Sequence, residues 1–439
     1  MSSYAQHLST VSARFDEALA ATGYDAVIIY AGQPRYAFQD DNPYAYRVNP
    51  LFKYWLPLTH SPQSALYYKP GHKPVVFLYQ PRDFWHAQVA IAAGEWQQHV
   101  DLVVIDDPLK IAAHLGDKLK QAVLLGEDFA EPASSWPVSQ RNPQALLDYL
   151  HYQRAVKTAW EIDNLRIANE RATRAHVAAR DAFFAGASEL GIQQAYLAAI
   201  DAREIDMPYN NIVALNEHGA ILHYDIYQHQ APQPVRSFLI DAGAYYHGYC
   251  ADITRTYTTQ TNGFFAELIA AMDAKQRALI DSIQVGQSYA DLHVAQHHNT
   301  AQLLHDFGLM NGSVESILAQ GYTRAFFPHG LGHLIGLQVH DVAGHLKNPQ
   351  GELHERDPNH PFLRLTRTME EGQVFTIEPG LYVIDQLLEP YAGNTDFNWQ
   401  RIDELRPYGG VRIEDSVVAS ASGKHQNLTR DAFAKLGVR

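Results

Sequence analysis

The 439 residues include a single cysteine, Cys250, so no disulfide can close within the chain and no thiolate metal cluster can form. Cys250 reads as a small buried residue beside Asp252. No stretch reaches about 18 uninterrupted apolar residues, the length a membrane-spanning helix needs. The start, MSSYAQHLSTVSARFDEALAATGYDAVIIY, has no basic segment followed by an apolar core, so a cytoplasmic location is the expectation. No run of Lys and Arg occurs, and the formal charge is -14, which argues against a general attraction to nucleic acid or anionic membrane. Neither GxGxxG nor GxxxxGK[ST] follows any strand-like segment, so nothing supports a dinucleotide or nucleoside-triphosphate site. Tandem short repeats and low-complexity tracts are also missing.

What is present is a globular composition, 46% hydrophobic and 19% charged, in a chain too long for one ordinary core. Residues 1–155 read as an α/β domain. Short apolar segments (YDAVIIY, SALYYKP, KPVVFLY, VDLVVID, QAVLLGE) alternate with helix-compatible stretches such as STVSARFDEALAATG and PLKIAAHLGDKLK. Residues 156–439 read as α+β. A long helical region comes first, with Ile162, Leu165, Ala168, Ala172, Ala175 and Ala178 at three- and four-residue steps. Strand signals then dominate, in RSFLIDAGAYY, YCADITRTYT, QVFTIEPGLYVI and GGVRIEDSVVAS, with helices at QRALIDSIQ and SYADLHVAQHHNTAQLLHDFG between them. NPQGELHERDPNHPFLRL is irregular enough to be a surface loop or lid.

Five side chains in the second domain are candidate metal ligands: Asp241, Asp252, His333, Glu378 and Glu414. Four carboxylates and one neutral imidazole balance two divalent cations and leave a bridging hydroxide as the only excess charge. A hairpin centred between Tyr246 and His247, eased by Gly243 and Gly248, would set Asp241 directly opposite Asp252, with Ile240 and Ile253 on the other face. Like charges so opposed are unfavourable without a cation between them, although the hairpin taken alone reads first as two solvent-exposed acids on a polar strand face. His329 and His333 lie in HGLGHLIG, whose glycines oppose a regular helix and permit close backbone approach, and His340 follows. Glu378 precedes a Pro-Gly turn at a strand end, while Arg412 and Glu414 share one face of the next strand. In isolation each is as readily a structural histidine or a surface ion pair.

Read in order, MPYNNIVALNEHGAILHY, FLIDAGA, ADITRTY, HGLGHLIGLQVHDVAG, FLRLTRTMEEGQVFTIEPG and GGVRIED resemble the pita-bread metallopeptidase family, in its Xaa-Pro dipeptidases or prolidases. AFQDDNPYAYRVNPLFKYWLPL in the first domain is similar to bacterial members, including organophosphorus acid anhydrolases. Ala343 stands where relatives commonly have glycine. The resemblance implies an α/β amino-terminal domain that supports dimerisation and the substrate pocket, followed by a pita-bread catalytic domain. It implies that Asp241 holds one metal ion, His333 and Glu378 the other, and that Asp252 and Glu414 bridge both. Mn²⁺ is the expected metal, with Co²⁺ or Zn²⁺ compatible.

Two such ions would turn a bridging water into the nucleophile. By the same resemblance Glu378 is the general base, His329 and His340 steady the oxyanion or relay protons, and Arg412 orients a bridging carboxylate. Arg364 and His223 would recognise the carboxylate of the substrate proline, and Tyr209 would line the pocket. Asp41 is a candidate for the substrate amine, contributed across a homodimer. The expected activity is hydrolysis of Xaa-Pro dipeptides to free proline, with organophosphorus triesters as a side reaction. Rival readings are an aminopeptidase P acting on longer Xaa-Pro peptides and, from another class, a metal-free binding protein on the same fold.

Overall fold

The computed structural model describes residues 2–87, 91, 93–127 and 129–438. They form two compact units, one of Met1–Arg154, Thr158–Glu161 and Asn348–Glu352, the other of Ala155–Lys157, Ile162–Lys347 and Leu353–Arg439.

The first unit is built on a mixed six-stranded sheet. Its strands are β1 (Ala26–Tyr30), β2 (Ala65–Tyr68), β3 (Val75–Tyr79), β4 (Asp101–Ile105), β5 (Ala122–Leu125) and β6 (Gln140–Arg141), in the order β4-β3-β2-β1-β5-β6. Each of the five apolar segments singled out in the sequence supplies one strand, because β-branched and aromatic residues fit a pleated surface; β1, β2 and β5 are buried throughout, while the edge strand β4 is partly exposed. The Ser3–Thr22 helix buries Tyr4, Leu8, Val11, Phe15 and Leu19 at helical spacing. Ser2 caps its first turn by accepting from the Ala5 amide, and Gly23 ends it in the left-handed conformation at φ 76°.

In the second unit, which takes the Ala159–Phe184 helix from Ile162 onward, that helix lays Leu165, Ala168, Ala172 and Ala175 inward, and alanine's small size lets its axis come close to the sheet beneath. The buried stripe continues through Ala179 rather than the expected Ala178, which is only partly covered, because the helix drifts from a strict three-residue step. Below it run β7 (Ile212–Leu215), β8 (Ser237–Asp241), β9 (Tyr245–Tyr246), β10 (Tyr249–Cys250) and β11 (Thr254–Thr258), of which β11-β8-β7 form one sheet and β10-β9 a ribbon. Farther along the chain come β12 (Val374–Ile377), β13 (Gly380–Tyr382), β14 (Gly410–Arg412), β15 (Asp415–Val418) and β16 (Gln426–Asn427), paired as β12-β15-β16 and β13-β14. The two halves meet where Thr254 and Glu414 form a bridge, the Glu414 amide donating to the Thr254 carbonyl at 3.0 Å. Among the described residues, no helix is long and apolar enough to cross a membrane.

The hairpin between β8 and β11 has a different centre from the one read in the sequence. Tyr246 pairs with Tyr249 and Asp241 with Thr254, so His247 and Gly248 form the two-residue turn. Both have positive φ, 47° and 85°, as a type I′ turn requires, and glycine takes the second position without strain. The register therefore moves by two residues. Because side chains alternate with period two, Asp252 stays on the face of Asp241 but is its diagonal neighbour instead of its direct partner.

Candidate metal centre

The acids on the hairpin are joined by a third side chain. The Tyr209 hydroxyl lies 2.8 Å from Asp241 Oδ1 and 2.5 Å from Asp252 Oδ1, one proton shared between two carboxylates. Glycine at 243 makes room for this ring, since a Cβ there would come within 2.9 Å of Tyr209 Cε1 and 2.1 Å of the Ala251 carbonyl. Ile240 and Ile253, on the opposite face, are fully buried in the core under the long helix.

His333 arrives from an extended segment that runs beside β12. Its carbonyl accepts from the Thr376 amide at 2.9 Å, its amide donates to Thr376 Oγ1 at 3.1 Å, and the Glu378 amide donates to the Leu331 carbonyl at 2.8 Å. A Cβ on Gly332 would lie 2.1 Å from the Thr376 carbonyl oxygen, so the glycine spacing is what lets this backbone lie against β12. The result brings His333 Nε2 to 3.4 Å from Asp252 Oδ2 and 3.7 Å from Glu378 Oε1. One ligand atom each from Asp252, His333 and Glu414 falls within 4.8 Å of the others, all three residues buried. The five expected ligands are thereby gathered at one place.

Their electrostatics call for cations. Burial raises the pKa of Asp241, aided by Asp252, and raises that of Glu378 to about 7; burial with the surrounding acids holds Glu414 well above the carboxylate range. Burial acts upward on Asp252 too, but His333 and Tyr209 keep it below its ordinary value. Four carboxylates, Asp252 and Glu414 buried and Asp241 and Glu378 partly so, thus compete for few positive partners. His333 adds a directional argument, because its Nδ1 donates to the Leu334 carbonyl at 3.0 Å and leaves Nε2 facing two carboxylate oxygens. A lone pair cannot stably face such oxygens, so Nε2 must carry either a proton or a metal ion. An oxygen-rich set with one imidazole fits divalent ions such as Mn²⁺, Co²⁺ or Zn²⁺.

Arg412 departs from expectation. Its Nη2 binds Asp241 Oδ2 at 2.8 Å rather than a carboxylate expected to bridge. The reason is register: Arg412 Nε reaches Thr254 Oγ1 at 3.3 Å, and Thr254 sits opposite Asp241, so the outer nitrogen extends to Asp241. Glu414 is held instead by Thr254, whose hydroxyl donates to Glu414 Oε2 at 2.8 Å.

Tyr382 and Thr254 are site residues that the sequence reading passed over. Arg412 Nη1 donates to the Tyr382 oxygen at 3.0 Å, and Tyr382 in turn contacts His329 Nε2 at 2.8 Å. His329 Nδ1 donates to the Gly330 carbonyl at 2.8 Å, which fixes the tautomer and leaves Nε2 to accept from Tyr382. Burial lowers the His329 pKa to about 3, and Arg412 adds to it, so the ring is neutral. Parity carried the signal for Tyr382, which lies two residues beyond Gly380 on β13 while Gly380 pairs with Arg412. A Cβ at 380 would come within 2.3 Å of the Tyr382 hydroxyl, so glycine leaves the space that hydroxyl occupies.

The remaining candidates lie at varied distances from the ligands. His340 is exposed, and its ring stands edge-on to His333 with centroids 4.5 Å apart. His223 and Arg364 are exposed, and both disfavour protonation of His340, where burial is the largest cause. Asp41 belongs to the first unit, exposed in the turn closed by the Ala37 amide and Asn42 carbonyl. Two further buried groups brace the centre. Lys157 Nζ pairs with Asp341 Oδ2 at 3.0 Å, and Asp415, beside Glu414, is gripped by Arg255 at 2.7 Å and Arg430 at 2.6 Å.

Comparison with known proteins covers both parts of the chain. Residues 2–152 match the model of the Xaa-Pro dipeptidase amino-terminal domain, and residues 163–421 match metallopeptidase family M24. The chain is 59% identical over 438 residues to Xaa-Pro dipeptidase 2 of Idiomarina loihiensis, covering 100% of both. It is 48% identical to the Xaa-Pro dipeptidase of Xanthomonas axonopodis pv. citri, covering 98% of both. Among solved structures, aminopeptidase PepP of Pseudomonas aeruginosa superposes with a TM-score of 0.74 at 24% identity, over 97% of this chain and 95% of that one. An Escherichia coli aminopeptidase P gives 0.73 at 23%, over 98% and 96%. At such identities these two speak for the pita-bread fold alone. The chain belongs to metallopeptidase family M24 and carries the amino-terminal domain of the Xaa-Pro dipeptidases.

Proposed function

We propose that this protein is a dinuclear-metal dipeptidase that hydrolyses Xaa-Pro dipeptides and releases free proline. The observation that carries the reading is the convergence of Asp241, Asp252, His333, Glu378 and Glu414 in a chain whose relatives, at up to 59% identity, are named Xaa-Pro dipeptidases. Asp241 would hold one ion, His333 and Glu378 the second, with Asp252 and Glu414 shared. Mn²⁺ is the proposed metal, from the preponderance of hard oxygen donors. When bound, the pair of ions supplies an activated water and an electrophilic pull on the scissile carbonyl.

The chain's own residues do the rest. An Xaa-Pro bond is a tertiary amide, so its nitrogen has no hydrogen and must gain a proton as the C–N bond breaks. Glu378 takes a proton from the attacking water and delivers it to that nitrogen. His329, neutral and fixed by Tyr382 and Gly330, and His340, beside His333, line the reacting carbonyl and stabilise its developing negative charge. Arg412 keeps Asp241 in place as a ligand. Arg364 and His223 form the proline carboxylate site, and a planar guanidinium suits that group because its donors match a carboxylate in a fork. Tyr209 fixes the spacing of the two hairpin acids, and Asp41 is proposed to meet the substrate amine across a homodimer. Exposed aromatics on the first unit, Phe38, Phe84 and Trp85, support such self-association. Organophosphorus triesters are proposed as a side reaction, since an activated water attacks phosphorus as well as carbon.

Product analysis tests the reading: Xaa-Pro should yield free proline, and Xaa-Pro-Yaa peptides should be cleaved far more slowly. Equal turnover of both would make the protein an aminopeptidase P.

A further inference from the structure

Three histidines outside the carboxylate centre meet at one point. His293 and His297 are one turn apart on the inner face of the Tyr289–Asp306 helix, both buried. His360 comes from the irregular segment that precedes Arg364, its side chain only 15% exposed. The His360 ring centroid is 4.4 Å from that of His293 and 4.6 Å from that of His297. One ring nitrogen from each of the three lies within 4.8 Å of the other two. Phe327 packs against His293 and His297 and, at 4.8 Å, against His329, which separates this cluster from the carboxylate centre by a ring.

The geometry of the nitrogens fits a shared ion. His293 Nε2 and His297 Nε2 are 3.2 Å apart. Two imidazoles bound tetrahedrally at 2.0–2.1 Å from one ion would hold their nitrogens about 3.3 Å apart. His297 Nδ1 meets Thr323 Oγ1 at 2.9 Å, the kind of outer hydrogen bond that fixes the tautomer of a ligating histidine and leaves Nε2 its lone pair. His293 presents Nε2 to the same point, while its buried Nδ1 finds no hydrogen-bond partner among the described residues. Burial, helped by the neighbouring imidazoles at His293 and His297 and by Arg324 at His297 and His360, keeps the rings uncharged, the form that binds metal. Asp357, three residues before His360, has a carboxylate oxygen 4.0 Å from His360 Nε2 and adds negative charge nearby.

We propose that His293, His297 and His360 form a second metal site, separate from the dinuclear centre, that takes one borderline divalent cation of the Zn²⁺ or Co²⁺ class. Three neutral imidazoles select such ions over Mn²⁺ or Mg²⁺, which prefer oxygen donors. Two ligands come from a rigid helix and the third from a loop, so the ion pins the loop. What it pins leads to Arg364: Phe362 and Leu363 lie directly over Gly330, where a Cβ would come within 2.9 Å of the Phe362 carbonyl oxygen and of Leu363 Cα. The site is therefore a structural clamp that holds Arg364 relative to His329. Its existence does not depend on the proposed peptidase reaction.

The test uses the full chain with Asp252→Ala and Glu414→Ala, which removes two ligands of the dinuclear centre, titrated with Co²⁺. One equivalent should bind with the strong visible absorption of a tetrahedral nitrogen-ligated ion and raise the melting temperature. His297→Ala should abolish both signals, and so should His360→Asn, a milder change in a half-buried loop residue. Without the carboxylate substitutions, Zn²⁺ stoichiometry should fall by one equivalent on His360→Asn. No binding of Co²⁺, an ion retained in both histidine variants, or the same Zn²⁺ stoichiometry with and without His360 would overturn the site. Loss of carboxylate-dependent binding alone would instead count against the dinuclear reading.

Discussion

The Arg412 guanidinium donates to Asp241 Oδ2 at 2.8 Å, with the arginine side chain 4% and the aspartate 15% exposed. That bond begins a line running from Asp241 through Arg412 and Tyr382 to His329, so one cation positions a proposed metal ligand and a neutral imidazole together. Lysine could not replace it, because its ammonium lacks the spread of nitrogens that reach Asp241, Tyr382 and Thr254 at once. Arg412→Lys should weaken metal affinity about 10–100-fold, the usual cost of losing an outer partner of a ligand. Metal titration followed by activity checks this; unchanged affinity would count against the line of bonds.

Substrate length should be read by Arg364. Losing a charge-assisted contact to the proline carboxylate costs about 1.5–3 kcal/mol, so Arg364→Ala should reduce kcat/KM for Xaa-Pro dipeptides by about 10–150-fold. Longer Xaa-Pro-Yaa peptides, whose proline carries no free carboxylate, should be little affected. Steady-state kinetics on a matched dipeptide and tripeptide decide it, and equal losses on both would contradict the assignment.

His176 makes a pH prediction away from the ligands themselves. It is fully buried in the long helix, and its Nε2 donates to the Ala242 carbonyl at 2.9 Å. Burial lowers its pKa to about 3, Arg255 lowers it further, and Asp252 acts in the opposite direction. The unfolded histidine titrates near 6.5, so below that pH the unfolded chain takes up a proton that the folded chain refuses. Stability should then fall by about 1.4 kcal/mol per pH unit from this group, from about pH 6.5 down toward pH 3. His176→Gln keeps a donor for Ala242 and removes the titration. Denaturant unfolding in chelator at pH 7 and pH 5 should show the variant losing about 2 kcal/mol less than the parent chain.

The buried pair Lys157–Asp341 anchors the turn that carries His340. Gly336 makes space for it, since a Cβ there would come within 2.4 Å of Asp341 Oδ2. Lys157→Met should destabilise the protein by about 3–5 kcal/mol by taking its cation from a buried carboxylate, and adding Asp341→Asn should recover much of that. Thermal unfolding of the two variants measures both halves of the statement.

The legible parts of the molecule were those governed by period and by local chemistry. The five strands of β1 to β5 follow from apolar runs, and the ligands stand out because each sits at a strand end or among glycines that force close backbone approach. The hairpin kept its correct face but not its centre, because two consecutive positive φ values at His247 and Gly248 decide the turn, and only one of those residues is glycine. The Phe264–Asp281 helix begins twelve residues before the segment QRALIDSIQ that announced it, its earlier turns being rich in alanine and less plainly periodic. Arg412, Tyr382 and Thr254 form their network across strands distant in sequence, and the His293, His297 and His360 cluster joins a helix to a loop. Such contacts depend on register and packing, which local pattern does not carry.

The most direct measurement of the central claim is hydrolysis of an Xaa-Pro dipeptide panel by chelated protein, before and after Mn²⁺ is restored, alongside Asp252→Ala. The account predicts that chelation abolishes proline release, that about two equivalents of Mn²⁺ per chain restore it, and that Asp252→Ala stays inactive at any Mn²⁺ concentration. Full proline release by the chelated protein, or by Asp252→Ala, would contradict it.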